Sequence, residues 1–302
     1  MRKLLLFTAV VMVALGGSAA AMSLDDALAL FVEGDIAVPF SDEGKAQIEG
    51  MIDAFLATLG VDDGLNQENE DAVMAFEIDY SMRGIVSKLA QCYYTLGNIF
   101  IPMNENEPVH LRGKHWGLKA LRMNPDFAAT EASDGFVAAV AVETDITAIY
   151  WATSNWLRVA QKHPLQALMA GVTTKTLAMS ERALALDPTY MVGGPYRSLG
   201  AYYSGLPIGR DLDKTLQYFC HINEAEACAA CEVSERVPGA DGYYENLTFL
   251  AEFYYMEKGM WAEAAALLQH VIDSPIGDTY LLYNDYSHVN AAALLETVNE
   301  KL

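Results

Sequence analysis

Basic residues are scarce: 19 Lys and Arg stand against 40 Asp and Glu, a net charge of −21 over 302 residues. Such an acidic chain repels phosphate backbones and anionic lipid heads, which argues against nucleic acid or a bare membrane surface as partner. Long apolar runs are missing too. No stretch approaches the roughly 20 residues that a spanning helix needs, so direct membrane insertion is not expected. Catalytic signatures are also lacking. The six histidines, His110, His115, His163, His221, His270 and His288, form no His-Glu-x-x-His pair. There is no Gly-x-Ser-x-Gly elbow and no phosphate-cradling loop ending in Gly-Lys-Ser/Thr. Glu131, Asp134, Glu143 and Asp145 could pair as catalytic carboxylates, but acids are so abundant that they read as solvated helix starts and loops. The chain is expected not to be an enzyme and to need no cofactor and no metal.

What is present begins with Met1, Arg2 and Lys3, an apolar run from Leu4 to Leu15, and the small residues Gly16, Gly17, Ser18, Ala19, Ala20 and Ala21. A basic start, a short apolar run and an A-x-A site make a secretory signal peptide. Cleavage is expected after Ala21, and losing Arg2 and Lys3 takes the charge to −23. No Cys follows the small residues, so the expected destination is the periplasm without a lipid anchor. Four cysteines, Cys92, Cys220, Cys228 and Cys231, are an even number in a chain expected to be exported, which favours disulfides. Cys220 could pair with Cys228 or Cys231, and spacing does not choose. A metal site of Cys220, His221 and the Cys228-x-x-Cys231 pair is the alternative, and it lacks a second clear ligand pair. Haem attachment is excluded because Glu232, not His, follows Cys231.

Helical periodicity dominates the rest. Ser41, Asp42 and Glu43 read as a capped start, and Ile48, Met51, Ile52, Phe55, Leu56 and Leu59 recur at helical spacing until Gly60. Residues 61–71 read as an acidic linker, and a long helix is expected from about Asp71 to Phe100. An Ala-x4-Pro pattern that closes the second helix of tetratricopeptide-like pairs occurs from Ala120 to Pro125 and from Ala183 to Pro188, with a weaker stop at Ser274-Pro275. First-helix signatures are Leu199-Gly200-x-x-Tyr203 and, approximately, Ala251-x-x-Tyr254. The expected fold is all-α: degenerate tetratricopeptide-like helix pairs stacked into a curved helical-repeat body with a concave face. Residues 22–302 form a single domain in this reading, with N-terminal helices and the acidic linker in 22–70 and the core in 71–302.

Residues 147–219 are the most distinctive. Ala148-Ile149-Tyr150-Trp151-Ala152 with Asn155-Trp156 form a helix apolar nearly all round. Ala183-Leu184-Ala185-Leu186-Asp187-Pro188 then stops a helix, Gly193-Gly194-Pro195-Tyr196-Arg197-Ser198-Leu199-Gly200-Ala201-Tyr202-Tyr203 opens another, and Gly205-Leu206-Pro207 turns the chain. This order resembles the T-component family of tripartite ATP-independent periplasmic (TRAP) transporters, over about residues 80–290. The resemblance implies an all-α body in the periplasm, self-association into a homo-oligomer, and association with the substrate-binding subunit of a system importing organic anions or hydrophobic small molecules. A lipid-anchor Cys, which the resemblance would place after the signal, is missing.

If a ligand enters, it is expected between the Tyr150–Trp156 helix and the Pro195–Tyr203 helix, with Tyr150, Trp151, Trp156, Tyr196, Arg197, Tyr202 and Tyr203 as candidate contacts. Two readings stand for Arg197: a fork that clamps a carboxylate, or an internal ion pair, toward which the weight falls because buried charges are normally paired. A general periplasmic scaffold for envelope protein–protein contacts is the alternative function.

Overall fold

Capping chemistry sets where the helices begin. The computed structural model describes residues 21–231, 233 and 235–302, so the signal-peptide segment lies outside the described residues apart from Ala21. Ser23 accepts from the Asp26 amide to open α1 (Leu24–Ala29), and Ser41 accepts from the Gly44 amide to open α2 (Asp42–Leu59), which ends at left-handed Gly60. Between them lies a two-stranded hairpin, β1 (Phe31–Val32) and β2 (Asp35–Ile36). Its turn residues Glu33 and Gly34 both have positive φ, the geometry a two-residue hairpin needs.

The long helix expected over residues 71–100 is broken. It becomes α3 (Glu70–Ala75), a 3₁₀ turn (Tyr80–Met82), α4 (Arg83–Thr95) and a π-helical turn (Leu96–Phe100). The reason for the break is tertiary. Lys119 Nζ takes the carbonyls of Met74 and Phe76, at 2.9 and 2.6 Å, while Asp79 accepts from the backbone amide and hydroxyl of Ser81. The carbonyls and amides of the interrupted helix thus find partners elsewhere, and no period in the local sequence reports that.

The remaining helices are α5 (Glu107–Arg122), α6 (Pro125–Asp134), α7 (Phe136–Val142), α8 (Ile146–Lys162), α9 (Pro164–Met169), α10 (Val172–Leu186), α11 (Tyr190–Gly205), α12 (Leu212–Phe219), α13 (Tyr244–Leu250), α14 (Trp261–Asp273) and α15 (Leu281–Asn299). The protein is all-α, and the two-residue strands are the sole sheet among the described residues. The helix ends before Pro125, Pro188 and Pro275 fall where the prolines demand, because the ring forbids continuation. No helix among the described residues is long and apolar enough to cross a membrane.

Neighbours in sequence pack on one another: α4 on α5, α10 on α11, α11 on α12 and α14 on α15. The most extensive packing joins α5 to α8, and it depends on missing side chains. A Cβ on Gly117 would sit 2.6 Å from the Ala152 Cα, and one on Gly113 would sit 2.3 Å from Asn155 Oδ1. The larger core gathers Phe55, Trp116, Trp151 and Tyr283, and a second gathers Phe219, Leu250, Leu268 and Val271 around α12–α15.

One group of acids departs from expectation. Glu143 is fully buried: its carboxylate accepts from Arg83 Nη2 at 2.7 Å, from Asn124 Nδ2 at 3.1 Å and from the Thr144 and Asp145 amides. Glu131 takes both prongs of Arg122. These are structural ion pairs that tie α4, α5 and α6 to the start of α8, whereas solvated loops were expected.

Candidate functional site

The site is built on α8 and α11. Asp145 caps α8 by accepting from the Thr147 and Ala148 amides, and every side chain from Ala148 to Trp156 is buried. Helix α11 opens through three consecutive left-handed residues, Met191 (φ 48°), Val192 (φ 53°) and Gly193 (φ 81°). A β-branched residue in that region is strained, by about 1–3 kcal/mol. Arg197 holds the strain in place. It donates from Nη2 to the Met191 carbonyl at 2.9 Å and from Nη1 to the Val192 carbonyl at 3.2 Å and to Asn246 Oδ1 at 2.7 Å. Its Nε lies 3.3 Å from Glu245 Oε2, and its guanidinium sits over the Tyr243 ring at 4.6 Å. The Gly-Gly-Pro sequence then has a specific use. A Cβ on Gly194 would fall 2.4 Å from the Tyr150 hydroxyl, so glycine is what lets α11 reach α8, and Pro195 fits the first turn beyond the kink.

A cavity of about 280 Å³ opens between these helices. From α8 it is lined by Tyr150, Ser154, Leu157, Arg158 and Gln161; from α11 by Arg197, Ser198, Ala201, Tyr202 and Gly205. Tyr94, Pro164, Ala167, Thr173, Thr176, Leu206 and Pro207 complete one side, and Phe249 and Phe253 close the other. Phe253 belongs to a π-helical turn, Ala251–Met256, a local widening of the helix that is often found at binding sites. The phenols of Tyr94 and Tyr150 are pushed above the usual range by burial, so both keep their protons. Burial also pushes the Glu252 carboxyl up, with Arg158 partly opposing it.

The expected contacts divide. Tyr150, Arg197 and Tyr202 line the cavity, whereas four others lie elsewhere. Trp151 is packed against Tyr94 and Tyr150 and donates to the Tyr190 hydroxyl at 3.1 Å. Trp156 packs edge-on against Phe136, Tyr196 stacks on His221 at 4.4 Å, and Tyr203 stacks on Tyr218 at 5.7 Å. Arg197 is in the internal ion pair with Glu245, and both its Nη atoms donate to protein groups. Arg158, Phe249 and Phe253 were not anticipated. For Arg158 a signal existed: Tyr150, Ser154, Arg158 and Gln161 recur at spacings of four, four and three, one face of a helix.

A second cavity, about 710 Å³, lies where the hairpin, the α10–α11 junction and the start of α15 meet. Glu33, Met191, Val192 and Tyr280, the non-glycine residues with positive φ among those described, all line it. So does Asp35, whose carboxyl burial pushes up to about 7. Elsewhere, Cys220 is bonded to Cys228 with Cα atoms 5.1 Å apart, and Cys231 Sγ lies 3.0 Å from Cys220 Sγ. His221 is turned toward Tyr196 and the Glu235 carbonyl. Among the described residues no three His, Cys, Asp or Glu side chains converge as a metal set.

The family model of the TRAP transporter T-component matches residues 106–300, from the start of α5 to the end of α15, and the chain belongs to that family. Its members are accessory transport components. No curated protein matches the chain.

Proposed function

We propose that this chain is the periplasmic T-component of a TRAP uptake system, that it associates with the substrate-binding subunit, and that its α8–α11 cavity holds a small apolar or anionic molecule. The observation that carries the reading is a coincidence of place: the segment most characteristic of the T-component resemblance, residues 148–219, supplies most of the cavity wall. An internal cavity with mainly apolar walls and a few convergent polar groups is what small-molecule binding requires. In this reading the stacked helix pairs of residues 71–302 form one tetratricopeptide-like unit, and self-association places several cavities in one assembly. Membership of an accessory family gives no reason to assign catalysis.

The partner test is isothermal titration of the purified mature chain with a TRAP substrate-binding subunit from the same organism. Saturable binding supports the proposal. A pulldown from periplasm that instead recovers chaperones or assembly factors, with no substrate-binding subunit, would favour the scaffold function.

A further inference from the structure

We propose that the α8–α11 cavity selects molecules carrying a single negative charge on an apolar body, and that Arg158 is the residue that reads the charge. This rests on the preceding reading that the cavity holds a small molecule. Two arginines line it, and they are in different states. Arg197 is 3% exposed and spends its fork on Glu245, Asn246 and the carbonyls of Met191 and Val192. Glu245 balances its charge, and four of its five N–H donors face protein groups.

Arg158 is in none of the ion pairs of 4.0 Å or shorter among the described residues. It donates to Gln161 Oε1, one turn away on its own helix at 3.3 Å, the Tyr94 phenol oxygen lies within its hydrogen-bonding reach, and its guanidinium sits 6.0 Å from the Phe249 ring. Glu252, on the neighbouring π-helical turn, is the acid most strongly coupled to it, yet burial drives that carboxyl toward its neutral form. In a chain with 40 acids and 19 bases, a partly buried guanidinium left without a carboxylate beside an apolar cavity is unusual. A ligand carboxylate supplies the missing partner, with the planar fork offering two parallel donors. Leu157, Leu206, Phe249 and Phe253 supply the surface for the apolar body. One free cation matches one anion. A dicarboxylate would bury a second charge with nothing to meet it, so the site discriminates against dianions as well as neutral molecules.

The test uses the full mature chain and the fluorescent apolar probe N-phenyl-1-naphthylamine, displaced by octanoate, octanamide or octanedioate. Octanoate is expected to displace the probe at a concentration at least tenfold lower than either of the others. In Arg158→Met, with folding checked by its melting temperature, the octanoate-to-octanamide ratio should fall to about one; Arg158→Lys should keep an intermediate preference. Equal displacement by octanoate and octanamide from the unmodified chain, or a preference that survives in Arg158→Met, overturns the role of Arg158 while leaving the cavity reading intact. Failure of the unmodified chain to bind the probe or any competitor overturns the cavity reading, and this inference with it.

Discussion

His110, which is buried, and Asp35, which is half-buried beside the second cavity, should give this protein opposing responses to acid, and a single substitution separates them. Burial lowers His110, fully buried with Nδ1 held by Asn155 Oδ1, from 6.5 to about 3, with Arg158 adding to the effect. Its contribution to stability is complete above the unfolded value and is lost as pH falls. At pH 4.5 the unfolded imidazole is protonated and the folded one is not, a loss of about 3 kcal/mol relative to pH 7.5. Asp35 works the other way. Burial, its largest influence, raises the folded carboxyl to about 7 from 3.8, so its contribution is present at low pH and is lost as pH rises through about 7. Acidifying from pH 7.5 to 4.5 therefore gains about 3 kcal/mol from Asp35, nearly cancelling His110. Asp35→Asn keeps an oxygen to accept the Ile36 amide and removes the titration. Urea unfolding followed by tryptophan fluorescence would give stabilities of both chains at pH 7.5, 6.0 and 4.5. Subtracting one profile from the other cancels the remaining carboxylates. The gap should widen in favour of the unmodified chain by about 3 kcal/mol as pH falls from 7.5 to 4.5. A gap that stays constant within about 1 kcal/mol would refute the placement of Asp35 in a desolvated pocket.

Other substitutions probe the packing. A Cβ on Gly200 would meet the Phe219 ring at 2.6 Å, so Gly200→Leu should destabilise by about 1–3 kcal/mol or more, and calorimetry should show a lower melting temperature. Gly117→Val should cost at least as much, because the atoms it meets belong to the Ala152 backbone and cannot swing away. Cys228→Ser should leave a Cys220–Cys231 bridge, given the 3.0 Å approach of those sulfurs, and peptide mapping without reductant should find it. Loss of any bridge in that variant would contradict the placement of Cys231.

The parts of this architecture that were legible in the sequence are those governed by local chemistry. Pro125, Pro188 and Pro275 stop helices because of what a proline ring does to its neighbours, and Ser41 and Gly60 bound α2 for equally local reasons. The Gly193-Gly194-Pro195 run announced a helix opening, though the left-handed Met191 and Val192 before it carry no sequence signal; the Arg197 network imposes them. The break at residues 76–79 was hidden because it depends on Lys119, more than forty positions away. Glu143 looked like one acid among many until Arg83 and Asn124 met it. The cavity was half legible. Its α8 and α11 walls follow from helical spacing, while Phe249 arrives on α13 and Phe253 on the π-helical turn that follows it, whose extra residue shifts the register.

The central claim is that α8 and α11 enclose a cavity that holds a small molecule. Native mass spectrometry of the protein isolated from its source cells tests this most directly, run beside Ala201→Trp, which fills the cavity from the α11 side. The account predicts a discrete adduct on the unmodified chain, released on denaturation and absent from the filled variant. Bare polypeptide mass in both, or an equal adduct on both, would contradict it.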